Sequence, residues 1–357
     1  MRAIAFTETG GPEVLRLVDL PTPQPGPGEV LIRVAYAGIN YGEVQHRLGD
    51  FGAPEGETVT GLEVSGRVVA TGAEVPGRGE VTGSEVPGRG EGVPGRGAVS
   101  AEGADGLAVG DLVAAYLPDG GGYAEYAVAP APFVFPLGGL DLRTGGGAAL
   151  ILTTAYGVLA GAARIGAGDT VLIHAAAGGV GSVAAQLARA LGASAVYGTV
   201  STPEKAEYAK RFGYDAVFVR DGFVDAVHEA TGGRGVGIVL DPVGGPTRLA
   251  SFDALAPFGR VAVYGEAGRH PDLHLPVLPV WKNNRTLTGY NIGDLSRRAP
   301  ALLRTHALAA LSLAASGDVR IDITDEYEPA RAPEAHRVLE AGANKGKAVL
   351  AFSLSGV

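Results

Sequence analysis

The chain of 357 residues carries a formal net charge of −9, with 46% hydrophobic and 19% charged residues, enough apolar material for packed cores. It has no cysteine, which excludes disulfides, thiolate nucleophiles, zinc fingers and iron–sulfur clusters, and it has no Lys/Arg cluster of the kind a nucleic-acid partner requires. Its 57 glycines follow no Gly-X-Y period, so collagen is excluded, and the length suggests two domains.

The opening Met1-Arg2-Ala3-Ile4-Ala5-Phe6-Thr7-Glu8 has no apolar stretch long enough for a signal peptide, and the expectation is a cytoplasmic enzyme. Residues 2–7, 15–19, 30–37 and 64–71 read as short strands separated by Pro and Gly turns, an all-β pattern that 109–117 and 123–129 continue. Between them, residues 72–106 hold three copies of one pentapeptide: Val75-Pro76-Gly77-Arg78-Gly79, Val86-Pro87-Gly88-Arg89-Gly90 and Val93-Pro94-Gly95-Arg96-Gly97. Such a segment lacks the apolar surface to offset its ordering entropy, so it reads as a flexible inserted loop, with a docking arm as the functional alternative.

Two uncharged runs, 144–163 and 170–188, reach membrane-spanning length. Both are rich in Gly and Ala and broken by polar residues, as expected of α/β proteins whose central strands are buried on both faces. After about residue 128 strand-like runs (170–174, 195–200, 216–219, 237–241, 260–265, 285–290) alternate with helical segments (182–191, 202–212, 222–231, 247–256). This rhythm predicts a doubly wound α/β fold around a six-stranded parallel sheet. A long helix over 295–316 follows, then a tail with a helix at 333–342 and a strand at 348–353.

The strongest chemical signal is the run Thr170 to Ala188, where a buried strand enters Ala175-Ala176-Ala177-Gly178-Gly179-Val180-Gly181 and leaves as an apolar helix. Small residues at that junction let a pyrophosphate approach the backbone, and the helix N-terminus supplies free N–H groups and positive dipole. The next strand ends Val200-Ser201-Thr202-Pro203-Glu204-Lys205, without the carboxylate at its tip that would hold a ribose 2′-hydroxyl. Ser201 and Thr202 with Lys205, and Arg220 at the end of the third strand, suit a 2′-phosphate, so the expected coenzyme is NADPH rather than NADH; Glu204 argues the other way. Later strand ends, Asp241-Pro242-Val243-Gly244-Gly245 and Tyr264-Gly265-Glu266, should line the same crevice. Val243, Gly244, Tyr264, Gly265 and Asn291 are therefore expected coenzyme contacts. The loops around Phe51, with Trp281, Leu287 and Asn291, are expected to shape the cleft.

Several short segments, in this order and spacing, resemble the zinc-independent quinone oxidoreductase (zeta-crystallin-like) branch of the medium-chain dehydrogenase/reductase superfamily. They are Gly38-Ile39-Asn40-Tyr41, Gly61-Leu62-Glu63-Val64-Ser65-Gly66, Val109-Gly110-Asp111-Leu112-Val113, Gly122-Tyr123-Ala124-Glu125-Tyr126, Thr154-Ala155-Tyr156, the Gly178 to Gly181 turn, Asp241 to Gly245, and Gly346-Lys347. The resemblance implies a GroES-like β domain built from residues 1–128 and 318–357 and a Rossmann domain over 129–317. It also implies NADPH in the cleft between them, Lys347 among its contacts, and a homodimer. It places Asn40 near the nicotinamide and substrate and Thr154 on the nicotinamide carboxamide.

Zinc-dependent relatives carry Cys where this chain has Asn40 and His where it has Leu62, so no metal is expected; His270 and His274 lack a third ligand. Without a Lewis acid, the expected partner is a small electrophile, a quinone or a carbonyl-conjugated C=C. Enoyl-thioester reductases of the superfamily use a Tyr near the place of Phe51. Its absence here favours quinones, with Tyr41 and Tyr264 as the remaining cleft phenols and Tyr41 the candidate catalytic one. Enoyl or enone reduction is the alternative, and a catalytically silent NADPH-binding protein is a third reading. Neither nucleic acid nor membrane is an expected partner.

Overall fold

The computed structural model describes residues 1–75, 106–271, 274–275 and 277–352. The flexible-loop reading of the repeat segment falls, apart from its ends, outside those residues. The first part of the chain forms β1 (Arg2–Phe6), β2 (Arg16–Asp19), β3 (Glu29–Ile39), helix α1 (Tyr41–Leu48), β4 (Thr58–Val59), β5 (Glu63–Thr71), β6 (Leu112–Tyr116), β7 (Tyr126–Pro130) and β8 (Val134–Pro136). Helices α2 (Leu142–Gly145) and α3 (Ala149–Tyr156) follow, and the latter runs on as a π-helical turn over Gly157–Ala162.

A βα alternation comes next: β9 (Thr170–Ile173), α4 (Gly179–Ala190), β10 (Ala195–Val200), α5 (Pro203–Ala209), β11 (Ala216–Val219), α6 (Phe223–Ala230), β12 (Val236–Asp241), α7 (Gly245–Asp253), β13 (Leu255–Val263), α8 (Val277–Lys282) and β14 (Thr286–Gly289). The chain then forms α9 (Ile292–Arg298), α10 (Pro300–Ala315), β15 (Ile323–Tyr327), α11 (Ala332–Glu340) and β16 (Lys347–Ala351).

The six expected strands pair in parallel in the order β11-β10-β9-β12-β13-β14, the doubly wound nucleotide-binding order with its switch point between β9 and β12. Val171, Leu172 and Ile173 of β9 are fully buried because helices cover both faces of the sheet. One face packs against α3, α4 and α10 through small residues such as Ala184, Ala188, Ala307 and Ala310; the other packs against Phe223 and Val227 of α6 and Phe252 of α7. Each fully buried Val, Leu or Ile contributes about 1.5–3 kcal/mol.

The remaining strands form a three-stranded sheet, β2-β1-β4, and a seven-stranded sheet, β15-β16-β3-β5-β6-β8 with β7 also on β3. Near the end of the chain, β16 pairs antiparallel with β3, setting Ala348 opposite Ile39. That pairing carries Lys347 to the base of α1.

One expectation needs correction, and several elements are new. The apolar run 144–163, assigned to no element from the sequence, forms α2, α3 and the π turn, wedged between the sheets with Leu152, Ala155, Val158 and Leu159 fully buried. A short apolar run has the same composition in either state, and tertiary packing decides. The helix expected over 295–316 is two, because Ala299, ahead of Pro300, is pushed to φ −148° and ψ 62°. Helix α1 and strand β15 were not expected. Yet Asn40-Tyr41-Gly42-Glu43 has the spacing of a capping box, and the Glu43 carboxylate accepts from the Asn40 N–H at 2.7 Å. Among the described residues no helix is long and apolar enough to cross a membrane.

Candidate functional site

One cleft of about 1520 Å³ runs along the carboxyl ends of β9–β13 and is closed on its other side by α1, the start of β16 and the loop after α11. At its centre is the turn between β9 and α4. Ala175 there takes a left-handed φ of 55° and swings the backbone toward the helix. The glycines of the turn serve space rather than conformation: Gly178 has φ −84°, and a Cβ on Gly181 would meet the Ala175 carbonyl oxygen at 2.3 Å. Ala177, Gly178, Gly179 and Val180 all line the cleft, with the N-terminus of α4 and its unpaired amides turned toward it.

At the β10 end Ser201, Lys205 and Arg220 also line the cleft. Burial, with Arg220 and then Lys345 nearby, holds the Lys205 ammonium below the ordinary lysine range, and Lys205 Nζ donates to the Gly342 carbonyl. Arg220 Nε is buried without a hydrogen-bond partner among the described residues. Clustered cations with an unused donor favour an anion between them. Thr202 lies outside the cleft lining: its Oγ1 caps α5 by accepting from the Lys205 N–H, and the helix geometry fixes it there.

The floor of the cleft beneath α1 is a buried polar network. Asn40 Nδ2 donates to Glu43 Oε1 at 3.2 Å and to Glu63 Oε1 at 3.1 Å, and Asn40 Oδ1 accepts from Lys347 Nζ at 2.6 Å. Lys347 Nζ also reaches Ile39 O at 2.7 Å and Glu63 Oε1 at 2.8 Å. Glu63 Oε2 accepts from the Leu150 N–H of α3 at 2.8 Å. Burial pushes the Glu43 carboxyl up to about 7, against the opposing pull of Lys347 and the hydrogen bonds from Leu62 N–H and Asn40. Sequence reasoning did not name Glu43 or Glu63 as site residues; the capping-box spacing was the available signal for Glu43.

Thr154, one helical turn beyond Leu150, lines the cleft, and its buried Oγ1 has no partner among the described residues. Tyr41 lines it too, but its hydroxyl donates to the Ala267 carbonyl at 2.9 Å, and burial raises its pKa. Val243, Tyr264, Gly265, Asn291 and Lys347 line the cleft as expected. Gly244 does not, being covered by the Glu266 carboxylate. Asn291 Oδ1 is engaged in capping α9 through the Asp294 N–H. His46, Phe51, Leu62, Tyr116 and Tyr290 also line the cleft. Trp281 and Leu287 do not shape it: they are 70% and 44% exposed on α8 and on the edge strand β14, outside the cleft lining.

Residues 26–139 match the family model "Alcohol dehydrogenase GroES-like domain", and residues 179–307 match "Zinc-binding dehydrogenase". A quinone oxidoreductase of Pseudomonas aeruginosa is 32% identical over 98% of this chain and 99% of its own length. The chain belongs to the zinc-independent quinone oxidoreductase branch of the medium-chain dehydrogenase/reductase superfamily.

Another relative of this branch member is a 2-haloacrylate reductase of Burkholderia, 33% identical over 74% of this chain and 73% of that protein. A mycobacterial protein solved in complex with NADPH superimposes with a TM-score of 0.83 at 33% identity, covering 99% of this chain and 100% of the other. The GroES-like part of the fold is the mixed sheet around β3. The residues present fit a phosphorylated dinucleotide. The steric fit at Gly181 keeps the turn tight against α4, and the partnerless Arg220 Nε and Thr154 Oγ1 offer hydrogen bonds at opposite ends of one cleft. Among the described residues no group of three or more His, Cys, Asp or Glu could hold a metal ion.

Proposed function

We propose that this chain is an NADPH-dependent oxidoreductase that reduces quinones or similar conjugated carbonyls without a metal. The observation that carries the reading is the alignment, along one cleft, of the Ser201/Lys205/Arg220 cluster, the glycine turn and the partnerless Thr154 hydroxyl. Bound there, the coenzyme supplies a hydride to an electrophilic carbon. The cations hold the 2′-phosphate, the amides at the start of α4 hold the pyrophosphate, and Thr154 Oγ1 orients the nicotinamide carboxamide.

Asn40 supports the floor. Both of its amide protons are given to Glu43 and Glu63, so toward a substrate it offers only remaining acceptor capacity on Oδ1. Tyr41 keeps its phenolic proton on the Ala267 carbonyl. A quinone suits such a site, since its reduced oxygens take protons from water. Reduction of an activated C=C bond is the second reading, favoured by the identity to the 2-haloacrylate reductase.

The proposal includes the division into a GroES-like catalytic domain (1–128 with 318–357) and an NADP(H)-binding domain (129–317), and a cytoplasmic location. It also includes a homodimer joined along β14, where Val277, Leu278, Trp281 and Leu287 are exposed together on α8 and the sheet edge. The test is steady-state NADPH oxidation with 1,4-benzoquinone against an enoyl thioester. Faster turnover of the quinone is expected. Inertness toward every quinone and enone, or a requirement for stoichiometric zinc, overturns the reading.

A further inference from the structure

On the nicotinamide side the cleft wall consists of two loop tips, residues 242–243 after β12 and residues 264–268 after β13, with Gly244 directly behind the first. They are zipped by backbone hydrogen bonds, Ala267 N–H to Pro242 O and Gly268 N–H to Val243 O, both 2.8 Å. They also interlock sterically. Gly244 has φ +82°, and a Cβ there would sit 1.7 Å from Glu266 Oε1, so the Glu266 carboxylate rests directly on the Gly244 backbone.

Behind this wall, outside the main cleft, lies Arg248 of α7. Its Nε donates to Asp241 Oδ2 at 2.6 Å, its Nη1 to Glu266 Oε2 at 2.6 Å and its Nη2 to Gly265 O at 2.9 Å. Asp241 is fully buried, and its other oxygen accepts from Val243 N–H at 2.7 Å and Gly244 N–H at 3.0 Å. One planar guanidinium thus joins the buried end of one loop to both the backbone and the side chain of the other. A point-charge lysine cannot reproduce that geometry.

We propose that Arg248 is a positioning residue for the coenzyme, setting the separation of the Val243 and Gly265–Ala267 backbones that face the nicotinamide half of the cleft. This rests on the NADPH reading above. Because the hydrogen bonds of the clamp reach Asp241, Glu266 and Gly265 and neither Lys205 nor Arg220, its loss affects both forms of the coenzyme alike.

The experiment measures dissociation constants of NADPH and NADH by fluorescence titration, and kcat and KM with benzoquinone, for wild type, Arg248→Met and Arg248→Lys. Arg248→Met is expected to weaken both coenzymes by a similar factor, about tenfold or more, with a smaller change in kcat at saturation. Arg248→Lys, which keeps a cation beside Asp241 and so protects folding, is expected to recover only part of the loss. The inference is overturned by wild-type affinities in both variants, by a loss confined to melting temperature, or by a loss confined to NADPH. A wild-type protein that binds neither coenzyme overturns the functional reading itself and the inference with it.

Discussion

Lys347 Nζ meets Asn40 Oδ1 at 2.6 Å although 307 positions separate the two residues, and this contact ties the last strand of the mixed sheet to the first turn of α1. With Glu63 at 2.8 Å and the Ile39 carbonyl at 2.7 Å, the ammonium has an acceptor for each of its protons. Removing it leaves the fully buried Glu63 carboxylate without its cation. Lys347→Met should therefore cost about 3–5 kcal/mol of unfolding free energy. The Lys347→Met/Glu63→Gln double variant should lose less than the sum of the singles. Denaturant unfolding of the four proteins measures the coupling, and additive losses would count against it.

Glu43 gives the same network a pH signature. Its folded pKa, about 7, lies above its ordinary value of 4.5, so in the window between them the unfolded chain releases a proton that the folded chain keeps. The stabilisation is complete below the unfolded value and is lost as pH rises through about 7. It is on the order of 3 kcal/mol. Glu43→Gln, which carries no titratable proton and keeps one acceptor oxygen for either the Asn40 or the Leu62 N–H, should flatten stability between pH 5 and pH 8 relative to wild type. Urea midpoints across that range supply the test; an unchanged slope would remove Glu43 as its source.

Lys205 sits where a 2′-phosphate would separate NADPH from NADH. Lys205→Ala should weaken NADPH by about tenfold or more and NADH far less. Fluorescence titration with the two coenzymes decides it, and equal losses would move the phosphate site elsewhere.

The Thr154 hydroxyl is buried with no partner among the described residues, a cost to the free protein that a hydrogen-bonding ligand removes. Thr154→Val should leave the melting temperature unchanged or raised while lowering kcat/KM by about tenfold. A variant less stable than wild type but equally active would show that the hydroxyl serves the fold instead.

The parts of this molecule that were legible in the sequence are those written in local patterns. The β-α rhythm gave six parallel strands, because strands buried on both faces read as unbroken apolar runs such as Val171-Leu172-Ile173. The glycine turn was legible because its small residues are consecutive. The partners of Asn40 were not: Glu63 and Lys347 reach it from other strands, and no spacing rule links them. The helices within the run 144–163 were not legible either, since its composition suits a buried strand and a buried helix equally, and only packing between two sheets selects the helix. Trp281 was expected to shape the cleft, whereas α8 carries it onto the outer surface.

The pairing of β16 with β3 also imposes an order on assembly. During vectorial synthesis the nucleotide-binding strands β9–β14 have all emerged before Lys347 is made. The Asn40 amide oxygen and the Glu63 carboxylate must therefore wait for a residue arriving nearly the whole chain later, and the nascent protein has a coenzyme cradle before it has a finished floor beneath the substrate.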